Sequence, residues 1–121
     1  MGFKELEDIE VWKRTCRLVV MVYKLTDKGE LGKDWGLKDQ MRRAAVSIPS
    51  NIAEGFERSS KSEFNRFAII AKGSCGELRT QLYLSQALDY LSKSEIEPLL
   101  NECKEISLML GGLSRHLKLN K

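Results

Sequence analysis

Residues 40–55 read QMRRAAVSIPSNIAEG, and from Ala44 to Ala53 they hold no charge in a chain that is 31% charged. Small residues, a proline, two serines and an asparagine stand where a surface helix would carry Lys and Glu. Leu37, Met41, Ala44, Ala45, Ile48, Ile52 and Gly55 recur three and four apart and so share one helix face. Gln40, Arg43, Ser47, Ser50, Asn51, Glu54 and Arg58 make a polar stripe beside it. Such a helix is expected to be covered on most sides, its polar atoms paired internally or to a neighbouring chain. Pro49 cannot donate to the carbonyl of Ala45, and its ring disturbs the preceding turn. The apolar spacing keeps its phase across Pro49, which predicts a kink rather than a break into two short helices.

Arg43 and Glu54 stand eleven positions apart, about 16 Å along a helix axis, too far to pair directly. Partners on the next helix or another subunit are therefore expected, with Glu77 the leading choice for Arg43. Arg43, Ser47, Asn51, Glu54 and Glu77 together predict a buried structural polar network that specifies bundle register. Val46 and Ala53 lie on a further side, where another helix has room to approach.

Working outward, a first helix is predicted over residues 7–27. Ile9, Trp12, Cys16, Val19, Tyr23 and Thr26 form a heptad-like seam, and Val11, Leu18, Val22 and Leu25 a second apolar row. The combined apolar arc covers roughly 200°, more than one internal seam requires. The surplus predicts an oligomer interface at Val11, Leu18, Val22 and Leu25, joined by Val46 and Ala53. The remaining face carries Lys13, Arg14, Arg17, Lys24 and Lys28. GELGKDWG, residues 29–36, is the one glycine-rich connection; Gly29 is a helix stop and Trp35 is expected to fold back over the bundle end.

A third helix opens with the capping box Ser60–Glu63 and continues to about Tyr90 through Phe64, Phe67, Ala71, Leu78, Leu82 and Leu88. Its small-residue middle, Gly73-Ser74-Cys75-Gly76, suggests close helix contact. A fourth helix opens with a second box, Ser94-Glu95-Ile96-Glu97. Ile96, Leu99, Cys103, Ile106, Leu110, Leu113 and Leu117 then give the cleanest alternation in the chain. Arg115, His116 and Lys118 suit the negative end of its dipole. Four helices with short loops predict an all-α, up-down-up-down antiparallel bundle, a single domain over residues 1–121.

The totals agree. Hydrophobic residues make up 42% of 121, and the net charge of +3 permits nucleic-acid binding without demanding it. Cys16, Cys75 and Cys103 show neither zinc spacing nor a disulfide framework, which suits a reducing cytoplasm. No signal peptide is read at the start, and the apolar run at residues 18–23 is too short to span a bilayer.

Val11-Trp12-Lys13, the stretch from Leu37 to Gly55, Arg58, residues 63–67 (EFNRF), residues 70–74 (IAKGS) and Glu77-Leu78 resemble the four-helix bundle family of proteins encoded in intervening sequences of bacterial large-subunit ribosomal RNA genes. Accessory variability determinant proteins of diversity-generating retroelements are similar in fold. The resemblance implies a homo-oligomer, a pentameric ring of bundles, with RNA or DNA association. The retroelement relatives imply an alternative: an adaptor or scaffold for a protein partner such as a reverse transcriptase. Family members often carry a Phe-Pro pair and an acidic residue where this chain has residues 27–36.

No enzyme is expected, and no cofactor or metal. His116 is the lone histidine, without an acid or nucleophile at helical spacing. No Glu-x-x-His pair offers a di-metal site. Residues 73–76 follow no strand and lack the lysine–serine ending of a phosphate loop. For nucleic acid the candidate cations are Lys13, Arg14, Arg17 and Lys24 on helix one, with Arg58, Lys61 and Arg66 near the second loop. No aromatic platform interleaves with them, so base readout is not suggested. Five copies in a ring would turn +3 into about +15.

Overall fold

The three-and-four spacings become helices along almost the whole chain. The computed structural model describes residues 2–119: a 3₁₀ turn at Leu6–Asp8, then α1 (Glu10–Thr26), α2 (Gly29–Lys33), α3 (Trp35–Glu57), α4 (Lys61–Ala87) and α5 (Lys93–Leu119). The protein is all-α, with no strand among the described residues. The four long helices close a circuit in which α3 packs on α4, α4 on α5, α5 on α1 and α1 on α3. Their inward side chains share one hydrophobic cluster. Among the described residues, no helix is long and apolar enough to cross a membrane.

On α3 the expected face holds from Met41 on: Met41, Ala44, Ala45, Ile48, Ile52 and Gly55 are all buried, Leu37 is half-buried, and the helix runs unbroken through Pro49. On α1 the row expected to face other copies faces the core instead, together with both ends of the expected seam. Val11, Leu18, Val22 and Leu25 are core residues of their own chain, Leu18 and Val22 fully buried. They are therefore not free to form an interface between copies. Of the other row, Ile9 and Thr26 are buried, Trp12, Cys16 and Val19 half-buried, and Tyr23 exposed. Thr15 and Thr26 enter the core because their hydroxyls donate to the carbonyls of Trp12 (2.7 Å) and Val22 (2.8 Å).

The glycine-rich connection is largely helical, since α2 occupies most of it. Gly29 takes φ +47°, a conformation glycine adopts without strain, and so begins α2 just after α1 has ended. Trp35 does not fold over the bundle: it is 75% exposed, with the Lys38 ammonium 5.0 Å from its ring centre. The helix approach that excludes a side chain lies at Gly55; at residues 73–76 the contact is made by Ser74 and Cys75 and not by the glycines. A Cβ at Gly55 would meet Phe67 Cβ at 2.8 Å and Phe64 Cδ1 at 3.0 Å, whereas Gly73 and Gly76 have nothing within 4 Å. Ser74 and Cys75, between them, face the core.

Ser60 caps α4, accepting from the Glu63 N–H at 3.1 Å. That helix ends at Ala87 rather than Tyr90, leaving Leu88 exposed. The box that starts α5 lies two residues earlier than expected. Ser92 Oγ accepts from Glu95 N–H at 3.2 Å, and Glu95 Oε1 accepts from Ser92 N–H at 2.9 Å. In the α4–α5 connection Asp89 holds φ 62° and Leu91 is buried. Asp34, the cap of α3, binds this connection as well: Oδ1 accepts from Leu37 N–H at 3.1 Å and Oδ2 from the Tyr90 hydroxyl at 2.9 Å.

Candidate functional site

Part of the predicted polar network exists. Ser47 and Ser74 hydroxyls meet at 2.9 Å across α3 and α4, and Asn51 Nδ2 donates to Ser47 O (2.7 Å) and Ser47 Oγ (2.9 Å). Ser74, read in the sequence only as part of the small-residue middle of its helix, is the further member. The charged members fall outside it. Arg43 is largely exposed and pairs along its own helix with Asp39 at 2.9 Å, so Glu77 is not its partner. Glu54 is also at the surface and pairs with Arg58 at 3.3 Å, and Glu77 is exposed. Helix flanks that no neighbour covers keep their charges in water, where short-range pairs along one helix suffice.

The expected nucleic-acid cations are mostly neutralised within the chain. Lys13 lies 3.3 Å and Arg17 3.9 Å from Glu10. Arg58 bridges Glu54 and Glu63, and Arg66 reaches Glu63 at 3.5 Å. Both arginines also flank the Phe67 ring, at 5.2 and 5.0 Å. Lys61 is the first residue of α4, and Lys24 is exposed on α1.

Arg14 is a clamp between α1 and α5, not a surface cation. Its Nε donates to Glu102 at 2.7 Å, Nη2 to Glu105, and Nη1 lies against Met109 Sδ at 3.6 Å. Hydrogen bonds to Glu102 and then Glu105 raise its pKa above the ordinary arginine value, so its charge is permanent. Arg14→Ala is expected to lower unfolding stability by about 1–2 kcal/mol, the range for a partly exposed charge-assisted pair, measured by urea denaturation. Arg14→Lys should not restore it fully, because an ammonium cannot fork between two carboxylates.

Arg42, which the polar pattern also passed over, closes the end of α1. It donates to Thr26 Oγ1 (2.9 Å) and the Tyr23 carbonyl (3.1 Å) while its guanidinium lies 4.2 Å from the Tyr23 ring centre. Beneath it, Asp27 is held below the usual carboxylate range, chiefly by a hydrogen bond from Lys38.

Beside Lys24, further cations without an ion pair lie on α4 and α5. Lys72, Gly76, Arg79, Tyr83 and Gln86 follow one another at spacings of four and three, and so do Asn101, Lys104, Leu108, Gly111 and Arg115. These rows flank the seam between the two helices. Lys72, Arg79, Lys104 and Arg115 have no carboxylate partner among the described residues. Two of them converge: a Cβ at Gly111 would lie 3.6 Å from Arg115 Nη1 and 3.7 Å from Lys72 Nζ. Like charges brought to one point over bare backbone repel unless an anion sits between them. Arg79 crosses the seam beside Cys75 and Cys103, its Nε buried without a hydrogen-bond partner. Periodicities of seven and eleven, read for charge as well as for hydrophobicity, mark this face in the sequence.

Further along the seam, Tyr83, Gln86, Lys93, Glu97, Asn101 and Lys104 surround a hollow of about 150 Å³. A second hollow, about 320 Å³, is apolar and lies where Phe3, Ile9 and Val11 meet Met109, Leu113 and His116. A third, shallow one of about 520 Å³ carries Tyr23, Arg42 and Val46 between α1 and α3. Burial pushes the thiols of Cys75 and Cys103 up to about 12, which leaves them protonated and unreactive near neutral pH. Among the described residues, no three His, Cys, Asp or Glu side chains are grouped to hold a metal ion.

The family model described as 23S rRNA-intervening sequence protein matches residues 7–112. A solved structure from Bacteroides thetaiotaomicron VPI-5482, described as a protein with unknown function from the S23 ribosomal protein family, superposes with a TM-score of 0.79. It is 23% identical and covers 86% of this chain and 97% of its own, a likeness of fold. Among curated proteins none matches the chain.

Proposed function

The chain belongs to the 23S rRNA-intervening sequence protein family, and from that premise we propose that it is a non-catalytic, self-associating helical bundle that binds RNA in the cytoplasm. The observation that carries this reading is the α4–α5 face, where Lys72 and Arg115 converge over Gly111 and Arg79 and Lys104 stand unpaired. Cations without internal partners have most to gain from phosphate, and each phosphate they neutralise releases counterions. In this reading the chain is one up-down-up-down domain. Contacts at 41–85 and 47–74 between α3 and α4, and at 65–114 between α4 and α5, support that order. The missing Pro49 N–H bends α3.

Self-association is placed on the α1–α3 side, with different residues from those first expected on α1. Val20 is 53% exposed, Tyr23 41% and Val46 39%, and the last two share one hollow. A ring of copies, five in the form that the family resemblance implies, would repeat the basic face outward.

Binding of a labelled RNA should fall steeply between 50 and 200 mM salt, with a log–log slope of roughly −3 if four cations each meet a phosphate. Reversing Arg79 and Lys104 to Glu should abolish it, whereas reversing Lys13 and Arg17, already held by Glu10, should weaken it far less. The opposite ranking would move the site to α1. Native mass should exceed the 13.8 kDa of one chain, and Val46→Glu should lower it.

A further inference from the structure

We propose that the α4–α5 face takes a single strand of RNA, phosphates along the cation row and one unstacked base in the hollow at Tyr83. This rests on the RNA-binding reading above and names the form of nucleic acid that the same face selects.

Tyr83 is 48% exposed, and its ring borders a hollow of about 150 Å³, too small for a drug-sized ligand. The polar groups around it are of the kind that reads a base. Gln86 and Asn101 supply amides that both donate and accept, Glu97 supplies an acceptor for an exocyclic amino group, and Lys93 and Lys104 supply positive charge at the rim. An aromatic face beside cations is the stacking platform that single-strand binders use, and every base has a face to offer it. A paired base inside a duplex cannot reach such a ring.

Position along the helix agrees. Lys72 and Tyr83 are eleven residues apart on α4, about 16 Å, with Arg79 between them on the same row. The strand would leave the Lys72–Arg115 pair, pass Arg79 and reach the hollow beside Lys104. Gly76 and Gly111 lie under this path. Neither is required by packing within the chain, since a Cβ at Gly76 meets nothing and one at Gly111 meets only the two cation heads. Glycine in a helix interior is unfavourable relative to alanine, and here it leaves bare backbone where the strand would pass. RNA rather than DNA is the chosen occupant, because the 2′-hydroxyl, donor and acceptor at once, has the amides of Gln86 and Asn101 beside the ring.

Fluorescence anisotropy of the full chain with a twelve-nucleotide RNA, the same RNA annealed to its complement, and the DNA strand of equal sequence tests this. The single-stranded RNA is expected to bind at least tenfold tighter than the duplex. Tyr83→Ala should weaken single-strand binding about tenfold and leave duplex binding unchanged, with Tyr83→Phe close to the original. Gly111→Glu, which places a carboxylate between Lys72 and Arg115, should weaken binding of all three. Circular dichroism spectra matching the parent would confirm that each variant folds. Single-strand binding unaltered in Tyr83→Ala, but lost with Arg79→Glu, overturns the base hollow and leaves phosphate binding standing. Equal affinity for duplex overturns the single-strand assignment, and equal affinity for the DNA strand overturns the choice of RNA. No binding of any probe by the parent chain overturns the RNA-binding reading and this inference together.

Discussion

Leu18→Ala is expected to lower folding stability by about 3–4 kcal/mol, the range for truncating a fully buried leucine in a core that closes only partly around the gap. For a chain of this length that corresponds to a fall of roughly 10–15 °C in melting temperature. The size matters less than its dependence on concentration. A leucine packed within one chain moves the unfolding midpoint equally at dilute and high protein. A leucine between copies would instead shift the self-association midpoint and leave the dissociated chain nearly as stable as before. Val20→Ala, at an exposed position, should leave unfolding almost unchanged. Should Leu18→Ala lose stability only where copies associate, the packing of α1 would have to be turned to its other face.

Gly55→Val should be nearly as damaging, by about 2–3 kcal/mol, although valine forms helix more readily than glycine. The added Cβ has no room: Phe67 Cβ would be 2.8 Å away and Phe64 Cα 3.3 Å, so the backbone of α4 must retreat, not merely a rotatable tip. Gly73→Ala makes the complementary test. Nothing lies within 4 Å of its added Cβ, and the helix propensity gained should raise stability by up to about 1 kcal/mol. Urea midpoints for the two variants should therefore move in opposite directions. A destabilised Gly73→Ala would show that Gly73, like Ser74 and Cys75 beside it, packs against a neighbour after all.

These variants divide what the sequence made legible from what it did not. The buried face of α3 follows directly from its spacing, because only one row there is apolar. On α1 two rows are apolar, and periodicity alone does not rank them. The side chains do: Trp12 and Tyr23 have polar atoms and bulk that suit a rim, while Leu18 and Val22 fit the centre. The start of α5 was ambiguous for a similar reason. Ser92 and Ser94 each stand three residues before a glutamate, so both satisfy the capping pattern. The tie breaks in three dimensions, where Tyr90 is anchored to Asp34 and Leu91 is buried, which places Ser92 at the helix start.

The charged residues were the hardest to place. Arg14 and Arg17 share one basic face, yet Arg14 meets Glu102 and Glu105 on α5 while Arg17 is tied only loosely to Glu10. Which cations remain uncommitted depends on the acids that a neighbouring helix brings near, and no single-helix pattern contains that. The row from Lys72 through Arg79 to Tyr83 was visible as a periodicity, but that Lys72 and Arg79 form no ion pair with a carboxylate among the described residues was not.

The Asp34 carboxylate, shared between the first turn of α3 and the phenol of Tyr90 56 residues later, makes two distant joints of the chain mechanically interdependent. Circular permutants or peptide insertions that open the polypeptide between residues 88 and 92 would loosen the start of α3 along with the joint they cut. Grafts are better tolerated at the opposite pole, around Ser59, where the linker is exposed and that carboxylate is left undisturbed.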